Sequence, residues 1–424
     1  MTVTIDSAAL DLSAIIRPGD HVVWGQAAGE PSTLVEALLA QRAGLGGISA
    51  FVGSSFSTTL KPEHADHIAF TSMGAIGTLR TLSKAGKLGI IPCHVGQIGR
   101  LIADGVIPCD VAFVQVSPVD ADGNHSYGVI NDYTQAMVAN ARVVVAEINA
   151  QVPFVPCDKL LPGSHIDYRI ETDRPVVSVP PAKIGEGDRA IAQIAASYIG
   201  DGSILQFGVG AVPDAIAQLI SDRKDLGLHS GMIGDSLVDL TESGALTNAT
   251  KRADRGVSVT GALIGSERLY RFCHNNKAVR ICASATTHGD AILSALPKLV
   301  SINSAVEVDL TGQVNAEEVG GSYVGGTGGQ VDYVRGGARS PGGRSIIALP
   351  ATAQGGTSSR IVARLSGPVT TARVETDVIV TEFGAAELKG QSLAERARRL
   401  IAIAHPDFRE SLEREAHALF QRGY

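Results

Sequence analysis

The sequence predicts an α/β protein made of two similar open, mainly parallel-sheet domains in tandem. Three observations lead there. Apolar, β-branched runs alternate with Ala- and Leu-rich stretches of helical spacing, the pattern of strand–helix–strand units. The alternation restarts near the middle of the chain. With 424 residues, the chain is too long for one ordinary core and suits two.

In the first half, "DHVVWGQ" (20–26), "GLGGISAFVGS" (44–54), "KLGIIPCHVG" (87–96), "DVAFVQVSP" (110–118) and "ARVVVAEIN" (141–149) read as buried strands. Between them, "STLVEALLAQRAG" (32–44) and "VGQIGRLIADG" (95–105) carry apolar residues at helical spacing. The restart is explicit. "RPGDHVVWGQAAGEPSTLVEALLAQ" (17–41) is echoed by "IGDGSILQFGVGAVPDAIAQLISD" (199–222), each a Gly/Asp turn, a short strand, a Gly loop, a Pro and an amphipathic helix. Gly25 and Gly208 are 183 residues apart, and Pro31 and Pro213 are 182 apart; a duplication is the economical explanation, and a shared strand–helix motif arising twice would look similar. Each proline sits near a helix start, where its missing N–H costs nothing. The stretch "SVPPAKIGEGDRAIAQ" (178–193), with Pro180 and Pro181, reads as the linker, and the expected domains are 1–185 and 186–424. The run 393–420 reads as a pair of C-terminal helices with charged outer faces, with His405 as a capping or packing residue.

Composition narrows the function classes. Charged residues are 19% of the chain and the net charge is −7, so neither nucleic acid nor an anionic membrane is the expected partner. No uncharged apolar stretch approaches a membrane span, and the first residues lack a basic region followed by an apolar run, so no signal peptide is read. The five cysteines are odd in number and scattered without a CxxC; a reducing cytoplasm is expected, and neither a metal site nor a disulfide framework. Aromatics at 4% against 48 glycines suit Ala/Val/Ile strands joined by Gly-containing turns.

Two segments are candidates for chemistry. "QFGVGAVPDAI" (206–216) takes a strand through a Gly loop into a helix N-terminus, which offers amide donors and a favourable dipole to an anion or oxyanion. A lone GxG is a weak signal, and tight strand–helix packing explains it equally. "EVDLTGQVNAEEVGGSYVGGTGGQVDYVRGGAR" (307–339) holds more glycine than turns require and reads as a ligand loop rather than a linker, because Val, Tyr and Asp interleave with it and strands flank it. Single residues carry less. His64 and His67 are spaced as a ligand pair yet read better as solvated residues, and His125 lies in a turn between two strands. His229 and Ser230 are adjacent, so on an extended chain they face opposite ways and form no easy dyad. Glu147 closes a hydrophobic strand, either as a buried, bonded carboxylate at a cleft or as a residue facing water.

Together, "LQFGVGAVPDAI", "INSAVEVDLTGQVNAE", "GGTGGQVDYVRGG", "RSIIALPATA", "DVIVTEFGAAEL", "IAHPDFRESL", "VSPVDADGNHSYG" and "AEINAQVP" resemble the acetyl-CoA hydrolase/transferase branch of the family I CoA-transferases over nearly the whole chain. The resemblance implies two open α/β domains with the active site between them, acyl-CoA and a carboxylate as small-molecule partners, and coenzyme A as substrate with no permanently bound cofactor. It also implies a homo-oligomer. By the same resemblance Gln206, Gly208, Val209 and Gly210 are CoA-contacting, and Gly326, Gly328 and Gly329 form the loop that closes over the thioester and supplies an oxyanion donor.

In members of this family that transfer CoA, a glutamate attacks the thioester from a motif resembling His-Thr-Glu-Met. Here the stretch reads "HSGM", and Gly231 stands at the glutamate position. Glycine has no side chain with which to form a covalent intermediate. Three readings follow. Another carboxylate acts, with Glu317 and Glu318 of "NAEEVGG" as first candidates and Glu147 third; both of the former also fit a bracing role for the loop. Alternatively, water enters the vacated space and the enzyme hydrolyses a thioester or a CoA-linked β-dicarbonyl, as some distant relatives lacking the glutamate do. Last, the chain binds CoA esters with little activity.

Overall fold

Strand-forming runs rich in Val and Ile take up positions where both faces are covered, which requires helices on each side of a parallel sheet. The computed structural model describes residues 2–420. Its elements fall into two units: one holds the residues up to Pro180 together with Gly231–Asp235 and Val257–Gly289, and the other holds Pro181–Ser230, Ser236–Gly256 and the residues from Asp290 onward. The expected boundary at 185 falls in the extended stretch just before a helix that begins at Glu186.

In the first unit the elements run β1 (Val3–Thr4), β2 (His21–Trp24), α1 (Ser32–Gln41), β3 (Ile48–Phe51), β4 (Ile68–Ser72), α2 (Arg80–Lys84), β5 (Leu88–Ile90), α3 (Val95–Ala103), β6 (Val111–Val116), β7 (Asn124–His125), α4 (Thr134–Asn140), β8 (Val143–Asn149), β9 (Leu161–Pro162) and β10 (Tyr168–Thr172). Eight of these strands form one sheet in the order β1-β10-β8-β6-β2-β3-β4-β5. Every pairing in it is parallel. All six residues of β6 are buried, as a central strand covered on both faces requires. Trp24, Phe113, Leu34 and Leu38 anchor the core where α1 covers the sheet.

The second unit opens with α5 (Glu186–Ala196), β11 (Ile204–Phe207), α6 (Ala211–Leu219) and β12 (Gly227–Ile233), and the chain changes unit within β12, between Ser230 and Gly231. After α7 (Ser236–Glu242) come β13 (Ser258–Leu263), α8 (Glu267–Cys273), β14 (Val279–Ile281) and α9 (Ser284–Thr287), which group with the first unit. The second unit resumes with α10 (Asp290–Ala295), β15 (Leu299–Asn303), β16 (Glu307–Asp309), β17 (Val314–Asn315), β18 (Glu318–Val319), β19 (Ser322–Tyr323) and α11 (Gln330–Arg339). It ends with β20 (Arg344–Ala348), β21 (Thr352–Ala353), β22 (Ser358–Ser359), β23 (Ile361–Val362), β24 (Val378–Thr381), β25 (Gly384–Glu387), α12 (Leu393–Ile403) and α13 (Pro406–Leu419). Its sheet runs β12-β11-β15-β20-β24-β25, parallel except for the terminal β24–β25 hairpin. A small three-stranded sheet, β17-β16-β23, is inserted after β15.

The echo read in the sequence has a topological counterpart. In the first unit the strands that follow β2 go outward on one side through β3, β4 and β5, and β6, β8 and β10 lie on the other side. In the second unit β12 lies on one side of β11, and β15, β20 and β24 lie on the other. β2–α1 and β11–α6 therefore hold the same place, at the point where the strand order reverses. Helices α12 and α13 form the expected C-terminal pair, and His405 caps α13 by accepting from the Asp407 N–H at 3.3 Å.

Candidate active site

In an open parallel sheet, ligands bind beyond the carboxyl ends of the strands at the order-reversal point, because the two crossovers there leave to opposite sides and open a crevice. In the second unit that point lies between β11 and β15. Gln206 and Asn303, at the carboxyl ends of these strands, exchange side-chain amide bonds of 3.3 and 3.1 Å. Just beyond, Gly208, Val209 and Gly210 are half-buried, and Gly210 takes φ +132° as it caps α6, a conformation open to glycine. The amides at the α6 N-terminus therefore face the sheet edge.

The second glycine segment leaves from β15 and reaches the same edge, since α11 returns toward β20, which is parallel to β15. β18 and β19 form a hairpin whose turn residues Gly320 and Gly321 have φ +56° and +79°. Two successive positive φ values are what a tight type I′ turn demands. These two glycines belong to a turn; the ligand-loop reading concerns the glycines beyond them. There Gly326, Gly328 and Gly329 are half-buried, Gly328 has φ +56°, and Gly329 caps α11. At Gly325 a Cβ would stand 2.4 Å from the Ala316 carbonyl oxygen, so only glycine lets the loop pass this close to the chain before Glu317.

Glu317 is at the base of this loop. Its carbonyl accepts from the N–H groups of Val324 (2.8 Å) and Gly325 (3.0 Å), and its own N–H donates to Asn315 Oδ1 at 3.0 Å. The side chain is buried, and Thr370 Oγ1 donates to Oε1 at 2.7 Å. Glu318 is half-buried on β18, with its N–H on Asn315 Oδ1 and its carbonyl accepting from Asn315 Nδ2. The Tyr323 phenol has its pKa raised by burial first and by the charges of Glu317 and Glu318 next. The loop thus carries two carboxylates and a tyrosine beside its glycines.

Glu147 is elsewhere, in the first unit. Its carboxylate receives the N–H groups of Thr33 (2.9 Å) and Leu34 (3.3 Å) and the hydroxyls of Thr33 (2.8 Å) and Thr172 (3.1 Å). Three donors at the first turn of α1 make it the cap of that helix, through a contact 114 residues away in sequence, and Thr172 on β10 supplies the fourth. Burial raises its pKa, and the donors pull it back.

"HSGM" falls inside β12. Ser230 Oγ donates to the Phe207 carbonyl at 3.0 Å, tying β12 to the end of β11. One residue before His229, Leu228 has its N–H bonded to Asn248 Oδ1 (2.8 Å) and its carbonyl bonded to the buried Lys251 Nζ (3.0 Å). One lysine in a polar loop carries no pattern by which the sequence would single it out. Asp235, the first acid after "HSGM", is held by the N–H and hydroxyl of Ser266 at 2.9 and 2.6 Å, at the start of α8. His64 Nδ1 accepts from the Lys61 N–H, and His125 Nδ1 lies 2.7 Å from the Ser117 carbonyl, so both are engaged locally. No group of three or more His, Cys, Asp or Glu able to hold a metal ion occurs among the described residues, and no helix there is long and apolar enough to cross a membrane.

The equivalent edge of the first unit is filled by its own side chains. Residues 22–32 are buried throughout. Gln26 donates to Asp132 and accepts from Ser54, while Glu30 accepts from Ser55 and Ser57 at 3.1 and 2.7 Å. A Cβ on Gly53 would stand 2.2 Å from Gln26 Oε1. Of the two related strand–loop–helix elements, the one in the second unit keeps an accessible glycine loop.

A doubly wound sheet with glycine loops after both strands of the order-reversal point places the candidate site among α/β proteins that bind ligands at the strand ends. The comparisons name the family. Residues 7–181 match the acetyl-CoA hydrolase/transferase N-terminal domain and residues 265–416 match the C-terminal domain of the same family. The 4-hydroxybutyrate coenzyme A transferase of Clostridium kluyveri is 39% identical over 404 residues, covering 94% of each chain. Among solved structures, RipA from Yersinia pestis superposes with a TM-score of 0.93 at 35% identity, covering 98% of this chain and 97% of that one. The 4-hydroxybutyrate CoA-transferase of Porphyromonas gingivalis superposes with a TM-score of 0.84 at 36% identity, covering 99% and 98%. The chain belongs to the acetyl-CoA hydrolase/transferase family.

Proposed function

We propose that the chain transfers coenzyme A between a small acyl-CoA thioester and a carboxylate, with Glu317 as the carboxylate that takes part covalently. The observation that carries this reading is the position of Glu317: a buried carboxylate at the base of the Gly325–Gly329 loop, steadied by Thr370 and joined through its carbonyl to the loop's own amides. In the proposed cycle a Glu317 oxygen attacks the thioester carbonyl and CoA leaves as thiolate, giving an acyl-glutamyl anhydride. The thiolate attacks the glutamyl carbonyl and releases the first acid. The incoming carboxylate then attacks glutamyl-CoA, and the thiolate returns to the new acyl group, regenerating Glu317. Each intermediate is about as reactive as a thioester, so the bond energy is retained. Gly326, Gly328 and Gly329 would present amides to the tetrahedral oxyanion, and Gln206, Gly208, Val209 and Gly210 would line the CoA path at the α6 N-terminus. Glu318 would act through its charge on the same loop, and Glu147 would brace α1.

Hydrolysis is the second reading, supported by Gly231: it has no side chain, and the resemblance places the nucleophile of the transferring members there. Water attacking the thioester would then release CoA without an acceptor. Incubation with acetyl-CoA and radiolabelled carboxylates separates the two. Label entering the CoA ester supports transfer; thiol release that ignores the carboxylate supports hydrolysis and removes Glu317 from the covalent role.

A further inference from the structure

The small sheet β17-β16-β23 brings a cation to the end where Glu317 lies. β16 pairs with β17 so that Glu307 faces Asn315, and the Val306 N–H donates to the Asn315 carbonyl at 2.8 Å. On the other side β23 runs parallel to β16, with Val308 opposite Ile361, so Arg360 stands level with Glu307 and Asn315. Arg360 and the Ala316–Glu317 step therefore lie at one end of this sheet, two strand spacings or roughly 10 Å apart in backbone. The end is fixed on the Arg360 side as well, because the Arg360 N–H donates to the Ala351 carbonyl at 2.9 Å.

The guanidinium is committed on one side only. Nη1 donates to the carbonyls of Ala305 (3.1 Å) and Val306 (3.4 Å), which follow the carboxyl end of β15, and every hydrogen bond the group makes among the described residues leaves from that nitrogen. Nε is buried and has no hydrogen-bond partner among the described residues. Glu382 is the carboxylate whose field reaches the group, and one of its oxygens accepts from the Ala351 N–H at 2.8 Å. Glu307, level with Arg360 in the sheet, uses Oε1 on Asn315 Nδ2 and on the N–H and hydroxyl of Ser366. The edge left over, Nε with Nη2, is the edge by which arginine grips a carboxylate or phosphate with two parallel bonds. A buried donor on a charged group, left without a partner, is costly unless a ligand supplies one.

We infer that Arg360 binds an oxyanion of the ligand at the Glu317 loop, either the carboxylate of the acid or a phosphate of CoA, through its Nε–Nη2 edge. The inference rests on the acyl-CoA reading of the same site and adds the group that fixes one end of the substrate. Two binding titrations test it without turnover: acetate followed by saturation-transfer NMR, and desulfo-CoA followed by calorimetry, each with the wild type, R360Q and R360K. The expected result is a loss of tenfold or more in R360Q for one ligand, with the other within twofold and the melting temperature unchanged. Loss confined to acetate identifies a carboxylate, and loss confined to desulfo-CoA a phosphate. R360K keeps the charge without the fork and should lose at least threefold for the same ligand, which also serves if R360Q does not fold. Both constants within twofold in a folded variant, or both weakened together with a fall in melting temperature, overturn the inference. A wild type that binds neither ligand overturns the acyl-CoA reading itself and this inference with it, whereas a failure of Arg360 alone leaves wild-type binding intact.

Discussion

At the scale of residues, the carboxylates divide by how their oxygens are used. Glu147 has both oxygens taken by donors at the first turn of α1. Replacing it by Gln puts an NH2 where donors already point, so at least one buried group goes unpaired. E147Q should lower unfolding free energy by about 1–3 kcal/mol in urea titrations while leaving kcat within twofold. Glu317 accepts one short hydroxyl bond on Oε1. E317Q should lower turnover by roughly a hundredfold or more with melting temperature nearly unchanged, as expected for loss of a covalent group; an unchanged rate would return Glu317 to bracing the loop and move attention to Glu318. On the proposed reading, Gly231→Glu places a carboxylate at the position where the resemblance puts the family's nucleophile, and it should create or raise CoA exchange with labelled acetate, with borohydride trapping a glutamyl thioester. A folded but inert variant would mean that the rest of the pocket is no longer arranged for that nucleophile.

At the scale of elements, the glycine segment combines two devices that composition could not separate. Gly320 and Gly321 shape the β18–β19 turn, and Gly325–Gly329 carry the loop into α11. The first pair needs positive φ for local reasons. Gly325 needs the absence of a Cβ because of Ala316, nine residues earlier, and only the folded chain reveals that. Gly325→Ala forces the loop off a backbone atom that cannot swing aside. The variant should lose about tenfold or more in kcat/KM, at a cost in stability of about 1–3 kcal/mol; steady-state kinetics with a thermal melt will read both. Strand and helix periodicity made β2, β3, β5, β6, β8, α1, α3, α12 and α13 legible. β4 (Ile68–Ser72) and β10 (Tyr168–Thr172) were not singled out, because "IAFTS" and "YRIET" are short and mix polar with apolar residues. Lys251 and Arg360 escaped for a different reason: a lone cation has no periodicity, and its meaning lies in the carbonyls it meets.

At the scale of the whole molecule, the repeated strand–loop–helix plan has two order-reversal points with different fates. The first unit closes its own around Gln26, Glu30 and Asp132, and burial lifts the Asp132 carboxyl to about 6, against smaller opposing effects from Gln26 and the Tyr133 and Thr134 amides. A carboxyl raised on folding holds its proton longer in the native state than in the unfolded one. Its cost is therefore absent below pH 4, grows as pH rises from about 4 to 6, and is constant above that. The stability of D132N relative to wild type should rise by about 2 kcal/mol between pH 4 and pH 7, read from urea unfolding at both values. A difference that stays flat with pH would show that Asp132 titrates normally.

The order of residues alone determined the α/β class, the repeat, the glycine segments and the family likeness, because periodicity, turn chemistry and motif spacing are local properties that the chain carries before it folds. Tertiary structure decided which carboxylate caps a helix, which stands at the base of a glycine loop, and which arginine keeps an edge unpaired. Those roles depend on partners brought together from as far as 114 residues apart, and hydrogen bonds are made by distance and direction in space rather than by separation along the chain.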